Sequence, residues 1–206
     1  MANKQINGKQ CSIGCYVDDN IGTHVDENVL RKMADAVEEK VGKITRQIGN
    51  RHKFLGMDIT FNKNGTVSID MKDYVEEVLQ AFPDRLKRNV TSPARPDLHH
   101  IDHTSPPLPI DRAELFHSLV MKLMWVSQIC RLDISTTISF LCTRVTKPTE
   151  QDWRKLKRCL EFLNGTINDV LTLGAESLEE LLNFVDVSIA VHPDMRSHTG
   201  GGASLG

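Results

Sequence analysis

The sequence predicts an α+β fold from three observations. Two early segments alternate apolar and polar residues and break at Asp, Asn and Gly clusters, as hairpins do. Segments after residue 110 repeat apolar residues every three to four positions, as helices do, and strand-like runs return after Asp169. With 206 residues, 40% hydrophobic and 25% charged, the chain can bury the cores of one or two domains and is neither disordered tail nor disulfide scaffold. A formal charge of −2 excludes a uniformly basic nucleic-acid coat, so affinity for nucleic acid must come from local clusters. The cysteines, at positions 11, 15, 130, 142 and 159, form no CxxC pair. No apolar run approaches the roughly 20 residues that cross a bilayer, and the first residues do not read as a cleavable signal. An intracellular location with reduced thiols and no membrane partner is expected.

Between Cys11 and His24, Ile13, Cys15 and Val17 alternate with smaller residues until Asp18-Asp19-Asn20 interrupts them, which predicts a hairpin with acids at its tip. Asp26 can cap the following helix, whose Val29, Leu30, Met33, Val37, Val41, Ile44 and Ile48 share one face. A second hairpin is expected with Phe54 to Phe61 as one strand, Asn64-Gly65 as the turn and Val67 to Ile69 as the return. Asp70 or Asp73 opens a short helix with Val75, Val78, Leu79 and Phe82 inward, ended by Pro83. Residues 91–110 hold Pro93, Pro96, Pro106, Pro107 and Pro109 with His99, His100 and His103, a composition that predicts an extended, poorly packed linker.

Beyond the linker, Asp111 and Glu114 read as a capping box for a helix lined by Leu115, Leu119, Leu123, Val126 and Ile129. Asp133 starts a second helix through Ile134, Ile138, Leu141 and Val145, closed by Pro148. Thr149 with Asp152 caps a third, with Trp153, Leu156, Leu160 and Leu163 inward and Asn164-Gly165 as its stop. Trp125 and Trp153 both fall on inward faces and are expected in the core. A strand over Asp169 to Gly174, a short acidic helical turn and a strand from Leu182 to Val191 complete the pattern. The polar opening and the glycine-rich close are abrupt, and a piece of a longer protein is expected.

Tyr16-Val17-Asp18-Asp19 carries the sharpest chemistry. Adjacent carboxylates repel, and a hard cation such as Mg²⁺ neutralises them on oxygen ligands. The alternative is an acidic β-turn, because Asp and Asn are good turn residues. Arg154, Lys155, Lys157 and Arg158, with Arg144 and Lys147, form the densest basic stretch, which reads either as a track for a nucleic-acid backbone or as a solvated helix face. The three linker histidines have metal-ligand chemistry but no nearby cysteine, and a solvated loop accounts for them. Cys11 and Cys15, four apart on a strand, share a face and suit packing better than a zinc knuckle.

The order of motifs resembles the reverse transcriptase of copia-type retrotransposons. The YxDD box is followed by a long amphipathic helix, Phe54-Leu55-Gly56-Met57-Asp58-Ile59, and the helix around Tyr74 to Phe82. Then come Ser118-Leu119-Val120-Met121-Lys122-Leu123-Met124-Trp125, Arg131-Leu132-Asp133-Ile134, Pro148 with Leu163-Asn164-Gly165-Thr166, and Asp186 followed by Asp194 to Gly201. The resemblance implies a partial right-hand polymerase palm over residues 1–90, the Pro/His-rich linker over 91–110, a helical thumb and connection region over 111–167, and the first strands of an RNase H-like domain over 168–206.

It further implies that Asp18 and Asp19 are catalytic ligands of Mg²⁺ or Mn²⁺, that Asp186 is a metal ligand of the RNase H site, and that Tyr16, Val17, Phe54, Leu55 and Gly56 lie along the primer. For Gly56, close backbone approach is the expected reason. The implied partners are an RNA template, a DNA primer, dNTPs and other parts of the Pol polyprotein, in cytoplasmic particles and the nucleus. Two-metal transfer also needs a carboxylate ahead of the YxDD box, and Met1 to Gln10 hold no Asp or Glu. The remaining RNase H acids are expected beyond Gly206. Two functions follow: a fragment of an RNA-directed DNA polymerase, inactive by itself, or a decayed or repurposed remnant that only binds nucleic acid.

Overall fold

The computed structural model describes residues 1–177, 179–190, 195 and 197–205, without the side chain of His198. The expected strand end at Val191, and Asp194 and Arg196 in the RNase H-like hairpin, lie outside these residues. The fold is mixed helix and sheet, in agreement with the α+β expectation.

The N-terminal sheet has three antiparallel strands in the order β1 (Ala2–Ile6), β2 (Lys9–Tyr16) and β3 (Asp19–Thr23). The expected hairpin is β2–β3, with Tyr16 opposite Asp19. Strand β1 was not foreseen. It is made by Asn7-Gly8, both at positive φ, which forms the two-residue turn that the twist of a hairpin favours. Helix α1 (Glu27–Val41) starts where expected, with the Asp26 carboxylate accepting from the Asn28 N–H at 2.9 Å. It ends earlier than the apolar periodicity implied: Gly42, at φ 87°, closes it, and its N–H donates to the Glu38 carbonyl at 2.9 Å. Ile44 and Ile48 therefore lie beyond the helix, on a segment that Arg46 folds back through ion pairs with Asp35 and Glu38. This layer has little core of its own. Of the helix only Val29 is buried, and Val37 and Val41 are exposed. On β2, Cys11 is buried with its Sγ 3.4 Å from Met33 Sδ, whereas Cys15 is exposed despite sharing the strand.

A second sheet runs β4 (Arg51–Phe54), β5 (Met57–Phe61), β6 (Val67–Asp70) and β7 (Leu171–Leu173), all antiparallel. Phe54 to Phe61 is thus not one strand. Leu55 and Gly56, at φ 52° and 76°, turn the chain by two residues between β4 and β5. The β5–β6 hairpin has the expected turn, with Gly65 at φ 84°. Strand β7, grouped by sequence with the last strands, pairs instead with β6, Ile69 opposite Leu171.

The main core is helical. Helices α2 (Lys72–Ala81), α3 (Ile110–Ile129), α4 (Ser135–Cys142) and α5 (Glu150–Gly165) pack together, with a short 3₁₀ turn at Leu132–Ile134. Val78, Phe116, Leu123, Ile138 and Leu160 are fully buried there. The expected Thr149/Asp152 capping box is present on α5. The one at Asp111 and Glu114 is not. Helix α3 begins at Ile110 with Pro109 as its N-cap, which has no side-chain oxygen to accept from the N–H groups of the first turn. Helix α4 stops at Cys142, so Val145 lies past its end. Trp153 is buried and stacks on Phe82 with centroids 4.8 Å apart, but Trp125 is 39% exposed, one position off the face that Leu119, Leu123 and Val126 bury.

Residues 91–109 contain no helix and, apart from an isolated bridge between Pro107 and Thr149, no strand pairing, yet the segment is not poorly packed. Leu98 and Leu108 are buried in the helical core, and the Leu108 N–H donates to the Pro148 carbonyl at 3.0 Å. Residues 175–177, 179 and 180 include no helical turn. The last hairpin pairs β8 (Leu182–Ser188) with β9 (His198–Ser204), and Phe184, Val185 and Val187 are exposed on it. Among the described residues, no helix is long and apolar enough to cross a membrane.

Candidate functional site

The β2–β3 hairpin presents Tyr16, Val17, Asp18 and Asp19 at its tip, all exposed. Val17 is 90% exposed and sits at φ 50°. A β-branched residue in the left-handed region is a genuine outlier, because its second γ substituent crowds the backbone. The neighbouring β1–β2 turn in the same sheet uses Asn and Gly, the residues suited to positive φ. A turn selected only for turning would do the same at 17. Holding Val17 in this conformation costs on the order of 1–3 kcal/mol. Asn20 Nδ2 donates to the Asp18 carbonyl at 3.3 Å, and the Asp18 and Asp19 carboxylates enter no ion pair among the described residues.

The β4–β5 turn carries Phe54, Leu55 and Gly56, and β4 lies against β3, so the two hairpins are neighbours. Phe54 and Leu55 are half-buried and Gly56 is exposed. Close backbone approach does not account for Gly56: a Cβ there would come no nearer than 3.8 Å to another atom, and its φ of 76° is what favours glycine. Below the turn, buried Asp58 faces the cations of β4, with Lys53 Nζ at 3.7 Å and Arg51 at 3.9 Å. Lys53 also pairs with Asp73 of α2 at 2.7 Å. That bond holds the Asp73 carboxyl below and the Lys53 ammonium above their usual values.

Four members of the basic stretch are engaged inside the fold. Lys155 donates to the His100 carbonyl at 2.6 Å and lies 4.5 Å over the Phe140 ring, and burial lowers its pKa. Lys157 pairs with Asp84 at 3.2 Å, and Arg158 donates to Ser92 Oγ at 3.1 Å. Burial opposes the Asp84 charge, but the bonds from Lys157 and Trp153 outweigh it and hold that carboxyl below its usual value. Arg144 pairs with buried Asp152 at 3.3 Å. Arg154 is exposed. Lys155, Lys157 and Arg158 fasten residues 84–100 to α5 rather than forming a row of exposed cations.

Asp186 is exposed on β8 opposite Gly200, its Oδ1 accepting from the Val187 N–H at 2.9 Å. With Phe184 and Gly200 to Gly202 it lines an open trough of about 620 Å³. Among the described residues, no three His, Cys, Asp or Glu side chains gather as a metal-binding group, and the linker histidines do not do so either. His99 instead meets the Phe140 ring edge-on at 5.4 Å.

Sequence reasoning missed one polar joint. Arg131, 4% exposed, donates from Nε and Nη2 to the two oxygens of Asp133 at 3.0 and 2.7 Å. It also reaches the Thr166 carbonyl at 3.0 Å and the Thr166 hydroxyl at 2.6 Å. The signal was present as two separate motifs, Arg131-Leu132-Asp133-Ile134 and Leu163-Asn164-Gly165-Thr166, whose contact no local pattern reveals.

The chain is 25% identical to a putative transposon Ty5-1 protein of Saccharomyces cerevisiae, over 94% of this chain and 61% of that protein. It is 22% identical to the retrovirus-related Pol polyprotein from transposon TNT 1-94 of Nicotiana tabacum, over 90% of this chain and 14% of the polyprotein. The chain is a relative of retrotransposon Pol polyproteins. This Pol-related chain is also 27% identical to an uncharacterized mitochondrial protein of Arabidopsis thaliana, over 90% of this chain and 75% of that protein. It spans less than two thirds of the yeast and tobacco relatives. No family model matches it, and no solved structure does.

Proposed function

We propose that the chain is a segment of an RNA-directed DNA polymerase, with its YxDD hairpin in a palm, α3 to α5 as thumb and connection region, and β8–β9 opening an RNase H-like domain. The observation that carries this reading is the exposed acidic tip built on a strained Val17, beside a second hairpin whose turn bears Phe54 to Gly56. Pairing of β7 with β6 supports a palm-like sheet that extends to Leu173.

The oxygen-only donors at the tip suit a hard cation, and Asp18 and Asp19 would hold Mg²⁺ or Mn²⁺ together with ligands outside the described residues. When bound there, such an ion supplies activation of a primer hydroxyl and stabilisation of the departing pyrophosphate. The chain's own residues orient the nucleic acid. Tyr16 and Val17 shape the surface under the primer end, Phe54 and Leu55 offer apolar contact from the adjacent turn, and exposed Arg154 can meet a phosphate. Template RNA, primer DNA and dNTPs would then be partners of the intact Pol protein.

Primer extension on an RNA template with Mg²⁺ or Mn²⁺ tests the reading. The chain alone should give no synthesis. Adding the N-terminal half of a related enzyme should restore some, and Asp18→Asn, which removes a charged ligand at constant size, should abolish it. Salt-sensitive binding to an RNA/DNA hybrid without any complementation would instead favour a remnant that only binds nucleic acid.

A further inference from the structure

Arg131 sits where the helical core meets the second sheet, and its contacts go beyond those of a residue that merely fills space. Its guanidinium is almost fully buried, and four hydrogen bonds divide between Asp133, in the middle of the 3₁₀ turn, and Thr166, at the end of α5. Thr166 Oγ1 in turn donates to the Phe162 carbonyl at 2.9 Å, so the last turn of α5 and the chain leaving it are held as one piece. From Thr166 the chain runs directly to the second sheet. The Asp169 N–H donates to the Thr166 carbonyl at 3.1 Å, Asn168 Oδ1 accepts from Lys72 Nζ at 3.0 Å, and Leu171 pairs with Ile69. Two routes thus reach the β4–β5 turn. One passes through β7, β6 and β5. The other passes from Lys72 to its neighbour Asp73, which pairs with Lys53 of β4.

We propose that Arg131 is a positioning residue: by joining Asp133 to Thr166 it sets β7 on β6, and so fixes the hairpin carrying Phe54, Leu55 and Gly56 relative to the helical core. Its importance for nucleic-acid binding rests on the function proposed above, but its effect on the sheet does not. The bidentate fork on Asp133 and the simultaneous reach to a carbonyl and a hydroxyl need a planar guanidinium, so lysine cannot replace it. Thr166→Val removes the hydroxyl, with its bonds to Arg131 and to the Phe162 carbonyl, and retains the shape and the carbonyl that Arg131 also reaches.

Amide hydrogen exchange on the full chain tests the proposal, with Arg131→Lys and Thr166→Val as variants. The expected result is exchange faster by roughly tenfold or more at residues 167–173 and 67–69 in Arg131→Lys, with a smaller change in the same segments for Thr166→Val. Amides inside α3 and α5, around Leu123 and Leu160, should keep their protection. Unchanged exchange in β6 and β7, or acceleration of every protected amide together, would overturn the proposal, since the second outcome means general loss of stability. If Arg131→Lys does not fold, Thr166→Val decides alone by the same criterion. Binding of an RNA/DNA hybrid, measured on the same proteins, reads the other hypothesis separately. Altered exchange without any hybrid binding by the parent chain keeps the positioning role and removes the nucleic-acid reading.

Discussion

Replacing Gly165 by alanine sets helix propensity against contact. Gly165 is the last residue of α5 and its φ is not in the left-handed region, so on propensity alone alanine should stabilise the helix, by at most about 1 kcal/mol. The structure opposes that gain. A Cβ at 165 would lie 2.7 Å from the Arg88 carbonyl oxygen and 3.3 Å from its carbon, distances at which backbone has to move. Residues 86–88 cannot yield freely. Asn164 Nδ2 donates to the Lys87 carbonyl at 3.1 Å and to the Leu86 carbonyl at 3.4 Å, while Arg88 Nε donates to Asn164 Oδ1 at 3.3 Å. Displacing a packed segment costs about 1–3 kcal/mol, to which weakened Asn164 bonds add about 1 kcal/mol. The net expectation is a loss of about 1–3 kcal/mol, read as a lower urea midpoint with unchanged slope. A stability equal to the parent's, or higher by about 1 kcal/mol, would show that Arg88 does not pack against α5 and would refute the argument.

Val17→Asn should relieve the positive-φ strain without losing packing, because Val17 is 90% exposed, and should stabilise the β2–β3 hairpin by up to about 1 kcal/mol. Slower hairpin amide exchange checks this, and faster exchange would count against it. Asp152→Ala removes the acceptor of the Thr149 N–H and leaves Arg144 without its buried partner, so a loss of about 2–3 kcal/mol is expected in thermal or urea unfolding. A native thiol titration should find Cys15 reacting fast and buried Cys130 and Cys159 reacting only on unfolding, and fast reaction of either buried thiol would contradict the packing. Burial pushes the Cys130 thiol up to about 11 and Cys159 up to about 12. Their contribution to stability is therefore whole below the unfolded thiol value, about 8.5, and is lost as pH rises from there towards the folded values. Cys159→Ala should flatten the decline in urea midpoint between about pH 8 and pH 10, and an identical decline in both proteins would refute the assignment.

How far the fold is legible in the sequence depends on the reach of each determinant. The β2–β3 and β5–β6 hairpins, the Asp26 cap and the Thr149/Asp152 box depend on residues within a few positions of each other, and they appear where expected. The early end of α1 illustrates a local signal misweighted: apolar periodicity continues through Ile44 and Ile48, but Gly42 accepts a backbone conformation that stops the helix. Leu55-Gly56 was hidden because apolar Phe54 and Leu55 read as strand. The partner of β7, the burial of Leu98 and Leu108, and the Arg131 joint depend on distant chain and leave no periodic trace. At the candidate site, Asp18 and Asp19 were readable as a pair, whereas the strain at Val17 needed backbone angles. The basic stretch read correctly as cationic, but its partners Ser92 and His100 come from a segment expected to be loose, and Asp84 from the chain just after α2.

The β6–β7 pairing bears on how the chain is made. Strand β6 emerges from a ribosome early, but the strand that covers its edge follows only after about a hundred further residues, with all of α3 to α5 in between. During that interval the β4–β6 meander has an open edge, a template for pairing with other nascent chains. Synthesis thus imposes an order: all of the helical bundle is made before the strand that follows its last turn can cover the β6 edge.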